Sequence, residues 1–144
     1  MTSRTRALLG GVLALALAPA AHGNPVLDEV NQARARHGLA PLRASESLER
    51  SASAFARRLM RSQRFAHGRR IGASRRFRML GEALALHVGP RPLRHAAAVR
   101  SWLRSPGHRA LVLSRSLRYA GAGWTRGRFG GRPAAIWVLQ LGSL

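Results

Sequence analysis

The chain has 144 residues, enough for one domain with a real core, and contains no cysteine. Disulfides, thiol nucleophiles, cysteine metal sites and a lipidated cysteine are therefore excluded, and the domain must rely on its hydrophobic core. The net charge is +20, and all 25 basic residues are arginine. Such a balance reads either as a solvated surface or as affinity for anionic partners, with envelope polymers or lipid headgroups ahead of nucleic acid, because the chain has an export signal in form and few aromatic residues accompany the arginines as a stacking platform.

Arg4 and Arg6 precede an apolar run from Ala7 to Ala18, followed by the small-x-small patterns Ala18-Pro19-Ala20 and Ala21-His22-Gly23. This has the form of a secretory signal peptide over residues 1–23, too short for the ~20 apolar residues of a membrane span. The expectation is an exported protein, secreted or periplasmic, with no transmembrane span after cleavage and a single domain over residues 24–144.

Asn24-Pro25 reads as a helix cap and first-position proline, followed by a Val26, Leu27, Val30 and Ala33 stripe that Gly38 ends, with His37 capping the last carbonyls. Ser45 or Ser47 can cap a second helix with a Leu48, Ala52, Phe55 and Leu59 stripe flanked by Ala56 and Met60. Residues 69–79 are arginine-rich and weakly patterned, a loop or short helix tacked down by Ile71, Phe77 and Met79. In Leu80-Gly81-Glu82-Ala83-Leu84-Ala85-Leu86, apolar residues bracket a single acid.

After the break at Gly89-Pro90-Arg91-Pro92, a third helix is predicted from about Leu93 to Arg104, with Leu93, Ala96, Val99 and Leu103 on one face. In Trp102-Leu103-Arg104-Ser105-Pro106-Gly107-His108, Ser105 is a suitable N-cap and Pro106 suits the first position of a new helix. His108 falls in its first turn, where the helix dipole disfavours imidazolium. Tyr119 to Thr125 reads as a strand, Arg126 to Pro133 as a hairpin turn, and Ala134 to Leu141 as a central strand buried on both sides. Helices first and a hairpin last make an α+β protein with helices packed on a small sheet. His95 is expected to be exposed, His87 to lie in a surface loop or line a cleft, Trp102 and Trp137 to be core, and Trp124 to be core or cleft wall.

Six segments in order resemble the bacterial SCP-like branch of the CAP superfamily (cysteine-rich secretory protein, antigen 5, pathogenesis-related 1). They are Val30-Asn31-Gln32-Ala33-Arg34 with Gly38-Leu39-Ala40-Pro41-Leu42; Phe65-Ala66-His67; Gly81-Glu82-Ala83; Trp102 to Arg109; Gly121-Ala122-Gly123; and Trp137-Val138-Leu139-Gln140-Leu141-Gly142. The resemblance implies an α-β-α sandwich with a small, mainly antiparallel sheet and a cleft carrying two histidines and one or two acids, which in some members hold a divalent metal. By motif, His67 and His108 correspond to the histidines and Glu82 to the acid. Ala83, Ser105 and Leu111 stand where fuller members carry asparagine, a second acid and asparagine, so the site is a reduced one.

His67, Glu82 and His108 are a plausible set of three ligands for a divalent metal, zinc or magnesium, with an open position for water. Such a site binds a small ligand, lipid-like ones included, or acts as a metal-assisted hydrolase. Without metal, either histidine can act as a base oriented by Glu82. No serine or cysteine lies in a nucleophile motif. Glu82 can equally cap a helix and the histidines be structural, which leaves a structural or adhesive role open. The leading expectation is a binding module of the cell envelope.

Overall fold

The structure, a computed structural model, describes residues 23–91 and 94–144. The signal-like segment up to residue 22, and Leu93 of the expected third helix, lie outside them.

Four helices and four strands follow in the order α1 (Pro25–Arg36), β1 (Arg43–Ala44), α2 (Glu46–Ser62), β2 (Met79–Val88), α3 (His95–Arg104), α4 (Pro106–Val112), β3 (Tyr119–Phe129) and β4 (Arg132–Ser143). The sheet order is β1-β3-β4-β2, with β1 parallel to β3 and the other pairs antiparallel. β4 lies between β3 and β2 and is buried from Ala134 to Gly142, as its near-continuous apolarity predicts.

Helices cover both faces, and the alternation of side chains along each strand divides the core in two. On one face Ala83, Ala120, Ala122, Ala135, Trp137, Leu139 and Leu141 pack with Val26, Val30 and Ala33 of α1, Ala98, Val99 and Trp102 of α3, and Val112 of α4. On the other, Leu84, Ala134, Ile136 and Val138 pack with Ala52, Phe55, Ala56, Leu59 and Met60 of α2. This is the expected three-layer α-β-α arrangement.

Local chemistry sets the ends of the first two helices. Asn24 Oδ1 accepts from Leu27 N at 3.2 Å, while its Nδ2 donates to Ala122 O at 2.8 Å, so one side chain caps α1 and ties it to β3. Gly38 takes φ +66° just beyond α1, where His37 Nδ1 lies 2.8 Å from Ala33 O. Ser45, not Ser47, caps α2, its Oγ accepting from Leu48 N at 3.4 Å.

Several expectations need correction. Residues 80–86 form the centre of strand β2, paired from Met79↔Ser143 to Val88↔Ala134. The buried face of α3 is Ala98, Val99 and Trp102, one residue round the helix from the Ala96 and Leu103 face. The turn from Arg126 to Pro133 shrinks to Gly130-Gly131 (φ +58° and +75°), because both strands run on and pair to Phe129↔Arg132. Two adjacent positive-φ residues give the tight turn whose twist matches a hairpin. Residues 69–78 contain no helix; Phe77 is buried, while Met79 is 51% exposed and tacks nothing down. Arg34, in the last turn of α1, is buried at 2% exposure.

Candidate functional site

The three residues singled out by motif arrive from three places. His67 stands in the loop after α2, Glu82 on β2, and His108 in the first turn of α4. β2 is an edge strand, and Glu82 shares the α2 face with Leu84. α4 belongs to the opposite helical layer, so His67 and His108 approach each other from the two sides of the sheet.

The structure brings all three together. His67 Nδ1 lies 2.9 Å from Glu82 Oε1, and the two imidazole centroids are 6.4 Å apart at an interplanar angle of 50°. The Glu82 side chain is 8% exposed and that of His67 56%. Gln140, directly opposite Glu82 in the β2–β4 register and 1% exposed, donates from Nε2 to Glu82 Oε2 at 2.8 Å. Both carboxylate oxygens are therefore engaged. An ionised Glu82 requires the proton on His67 Nδ1, which leaves the Nε2 lone pair free.

His108 has its pKa lowered, first by burial and then by the neighbouring His67. Burial is the first cause of this shift, which favours the neutral ring. Ser105 also departs from expectation. Its backbone takes the cap conformation and its carbonyl accepts from Arg109 N at 2.7 Å, but its hydroxyl makes no cap bond.

Among the described residues, no group of three or more His, Cys, Asp or Glu side chains is arranged to hold a metal ion. One Glu82 oxygen already faces His67 Nδ1 and the other Gln140 Nε2. A carboxylate–histidine pair is an arrangement that can orient a metal-binding imidazole.

Gln140 is the functional neighbour that sequence reasoning missed, and it left a signal: it is the one polar side chain within the apolar run from Ile136 to Leu141. His95 is the second surprise. It is half-buried, accepts from Trp137 Nε1 at 3.0 Å through Nδ1, and packs edge-on against Trp124 with centroids 4.7 Å apart. Trp124 is 37% exposed and Trp137 is core. His87 lies within β2, half-buried, and not in a loop.

The His95 pKa is lowered, chiefly by burial and then by Arg126, with Glu29 opposing. A base whose folded pKa lies below its unfolded value, ~6.5, contributes stability that is complete above that value and is lost as pH falls toward the folded pKa. Protonation at Nδ1 would also end the Trp137 bond. His108 acts in the same direction. The melting temperature is expected to fall between about pH 7 and about pH 5, with a shallower slope in His95→Gln. A slope unchanged by that substitution would remove His95 from the account.

The sequence model described as the Cysteine-rich secretory protein family (CAP) matches residues 27–141. The chain belongs to the CAP family. No curated protein sequence matches it. Among solved structures it is similar to an outer surface protein from Borrelia burgdorferi (TM-score 0.65, 20% identity, 82% of this chain and 89% of that one). It is also similar to an extracellular SCP-domain protein from Bacillus anthracis (TM-score 0.61, 21% identity, 83% of this chain but 39% of that one). Venom allergen-like protein 4 of Schistosoma mansoni gives a TM-score of 0.57 at 12% identity, over 83% of this chain and 85% of that one. These likenesses establish the fold. Among the described residues no helix is long and apolar enough to cross a membrane.

Proposed function

We propose that the protein is an exported binding module of the cell envelope, with His67 and His108 as paired nitrogen ligands for a divalent cation and Glu82 as the group that orients His67. The observation that carries this reading is the Glu82–His67 bond of 2.9 Å, which leaves Nε2 of an exposed imidazole bare beside a second, neutral one. Two imidazoles favour zinc over magnesium, which prefers oxygen ligands. A bound cation would supply Lewis acidity toward a small ligand in its remaining positions. The arginine-rich surface would hold the domain near anionic polymers or lipid headgroups in a salt-dependent way.

Zinc titration of the purified protein tests this. One-to-one binding is expected, abolished by His67→Ala or His108→Ala with the melting temperature retained for His67→Ala, because that side chain is exposed. Glu82→Gln is expected to lower the affinity ~10–100-fold, the usual effect of losing an orienting carboxylate. No stoichiometric zinc, or full binding in His108→Ala, would overturn the reading and leave a structural or adhesive role.

A second reading shares the same bond. A histidine oriented by a buried carboxylate is also the arrangement of a general base. Hydrolysis of envelope polymers or peptides, lost in His67→Ala with folding intact, would make the protein a hydrolase.

A further inference from the structure

On the α2 side of the sheet, Ser51, Phe55, Arg58, Arg61, Arg70 and Gln140 line a cavity of about 350 Å³. That is the size of a small-molecule site. Three elements build it: α2, the loop after it, which also carries His67, and β4, which supplies Gln140.

The three guanidiniums have no acid of their own. Among the described residues the ion pairs are Arg50–Glu46 and His67–Glu82, neither of which involves Arg58, Arg61 or Arg70. Arg58 is held over the Phe55 ring, 4.7 Å from its centroid. The loop closes on this pair at Gly68, where an added Cβ would lie 3.3 Å from an Arg58 Nη2 and 3.4 Å from Phe55 Cζ. Arg58 is thus exposed but stacked on the Phe55 ring beside this loop.

A second observation also points to a ligand. Gln140 is 1% exposed, and its Oε1 is buried with no hydrogen-bond partner. The amide cannot turn over to relieve this, because its Nε2 is required by Glu82 Oε2 at 2.8 Å. Leaving a buried acceptor unpaired is destabilising, so a donor is wanted at this wall of the cavity. The cavity thus combines a cluster of guanidiniums for an anion with an acceptor waiting for a hydroxyl.

The geometry points to a binding site for the phosphate ester of a small polyol, with the phosphate oxygens held by Arg58, Arg61 and Arg70 and a polyol hydroxyl donating to Gln140 Oε1. Several guanidiniums suit phosphate better than a carboxylate, since phosphate offers more oxygens and more charge to planar donors. The site uses different side chains from the imidazole pair and does not depend on it. Gln140 alone touches both, through Glu82.

The test is calorimetric titration of the full chain at fixed ionic strength with α-glycerophosphate, inorganic phosphate and glycerol. One-to-one binding of α-glycerophosphate is expected, tighter than inorganic phosphate, with none of glycerol. The double variant Arg58→Gln/Arg70→Gln should weaken it at least ~10-fold. Arg100→Gln/Arg104→Gln removes the same charge from α3 on the opposite layer and should weaken it by less than ~3-fold. Both double variants should still bind zinc if the imidazole pair does, so failure of either site can be told from failure of the other. Gln140→Met should erase the preference for α-glycerophosphate over inorganic phosphate. Equal weakening by the two double variants, or no preference for the ester in the wild type, would overturn the proposal.

Vesicles of phosphatidylglycerol in phosphatidylcholine separate the sources of the ester. Vesicle binding lost in Arg58→Gln/Arg70→Gln but not in Arg100→Gln/Arg104→Gln would assign the site to a lipid headgroup. Vesicle binding equally retained by both, with α-glycerophosphate binding lost only in the first, would assign it to a soluble or polymer-borne ester.

Discussion

Gly121→Ala should leave little folded protein. β3 lies against α2 so closely at this point that a Cβ on Gly121 would overlap the Glu49 amide nitrogen and the Leu48 carbonyl carbon and lie 2.6 Å from Glu49 Cα. All three atoms are helix backbone, which has no rotamer to escape into. Gly123 meets the same helix one turn on, where a Cβ would overlap Ser53 N and Cα and lie 2.7 Å from Ala52 C. Lifting α2 by even an ångström would loosen Leu59, Phe55 and Met60 against Leu84, Ile136 and Val138, which together form that half of the core. Overpacking alone costs about 1–3 kcal/mol, and losing the helix contacts adds to it, against a total stability of about 5–15 kcal/mol. Gly127→Ala is the control. Its Cβ would meet only the Met60 side chain, 3.1 Å from Cγ, and a flexible side chain can yield. Denaturant midpoints should therefore fall sharply for Gly121→Ala and slightly for Gly127→Ala. Similar midpoints for the two would refute the close-approach argument.

Those two glycines illustrate what was legible in the chain and what was not. The Leu48, Ala52, Phe55 and Leu59 stripe shows a helix because its period is set by the helix itself, and the run from Ile136 to Leu141 shows a two-sided strand because it lacks a polar side. Residues 80–86 carried no such mark. Their leucines and alanines favour helix by local propensity, and only the pairing with β4 makes them a strand. Gly127 suggested a wide turn, whereas it lies within β3 beneath Met60. At the site, motif order was enough to name His67, Glu82 and His108 together. It could not show how they are held, because Gln140 arrives from a strand far along the chain and occupies the second carboxylate oxygen of Glu82. His95 was misread for the same reason: its acceptor role depends on Trp137, a residue on another element.

Arg34→Ala is expected to destabilise the protein by about 3 kcal/mol and to reach the site from a distance. Arg34 is buried without a carboxylate. Its Nε donates to Ala40 O at 2.9 Å, and its Nη1 donates to Val112 O at 2.8 Å and Ser114 O at 2.9 Å. Burial, and secondarily Arg118, lowers its pKa, yet a guanidinium stays charged in proteins. What compensates the charge is the carbonyl cluster at the end of α4, the negative pole of that helix. One side chain thus joins α1, the connector after it and the C-terminal end of the helix whose first turn carries His108. Alanine would leave three carbonyls short of a donor and a void between two helices. Arg34→Lys keeps the charge but cannot span the carbonyls with a planar fork, so it should recover only part of the loss. Amide exchange should rise first in α4, at Leu113 N, which bonds Arg109 O at 3.0 Å. Zinc affinity should fall in Arg34→Lys even where the fold persists, because His108 is placed by the helix that Arg34 holds. An Arg34→Ala midpoint within ~0.5 kcal/mol of the wild type would show that water takes over those carbonyls, and that α4 keeps its position without help from α1.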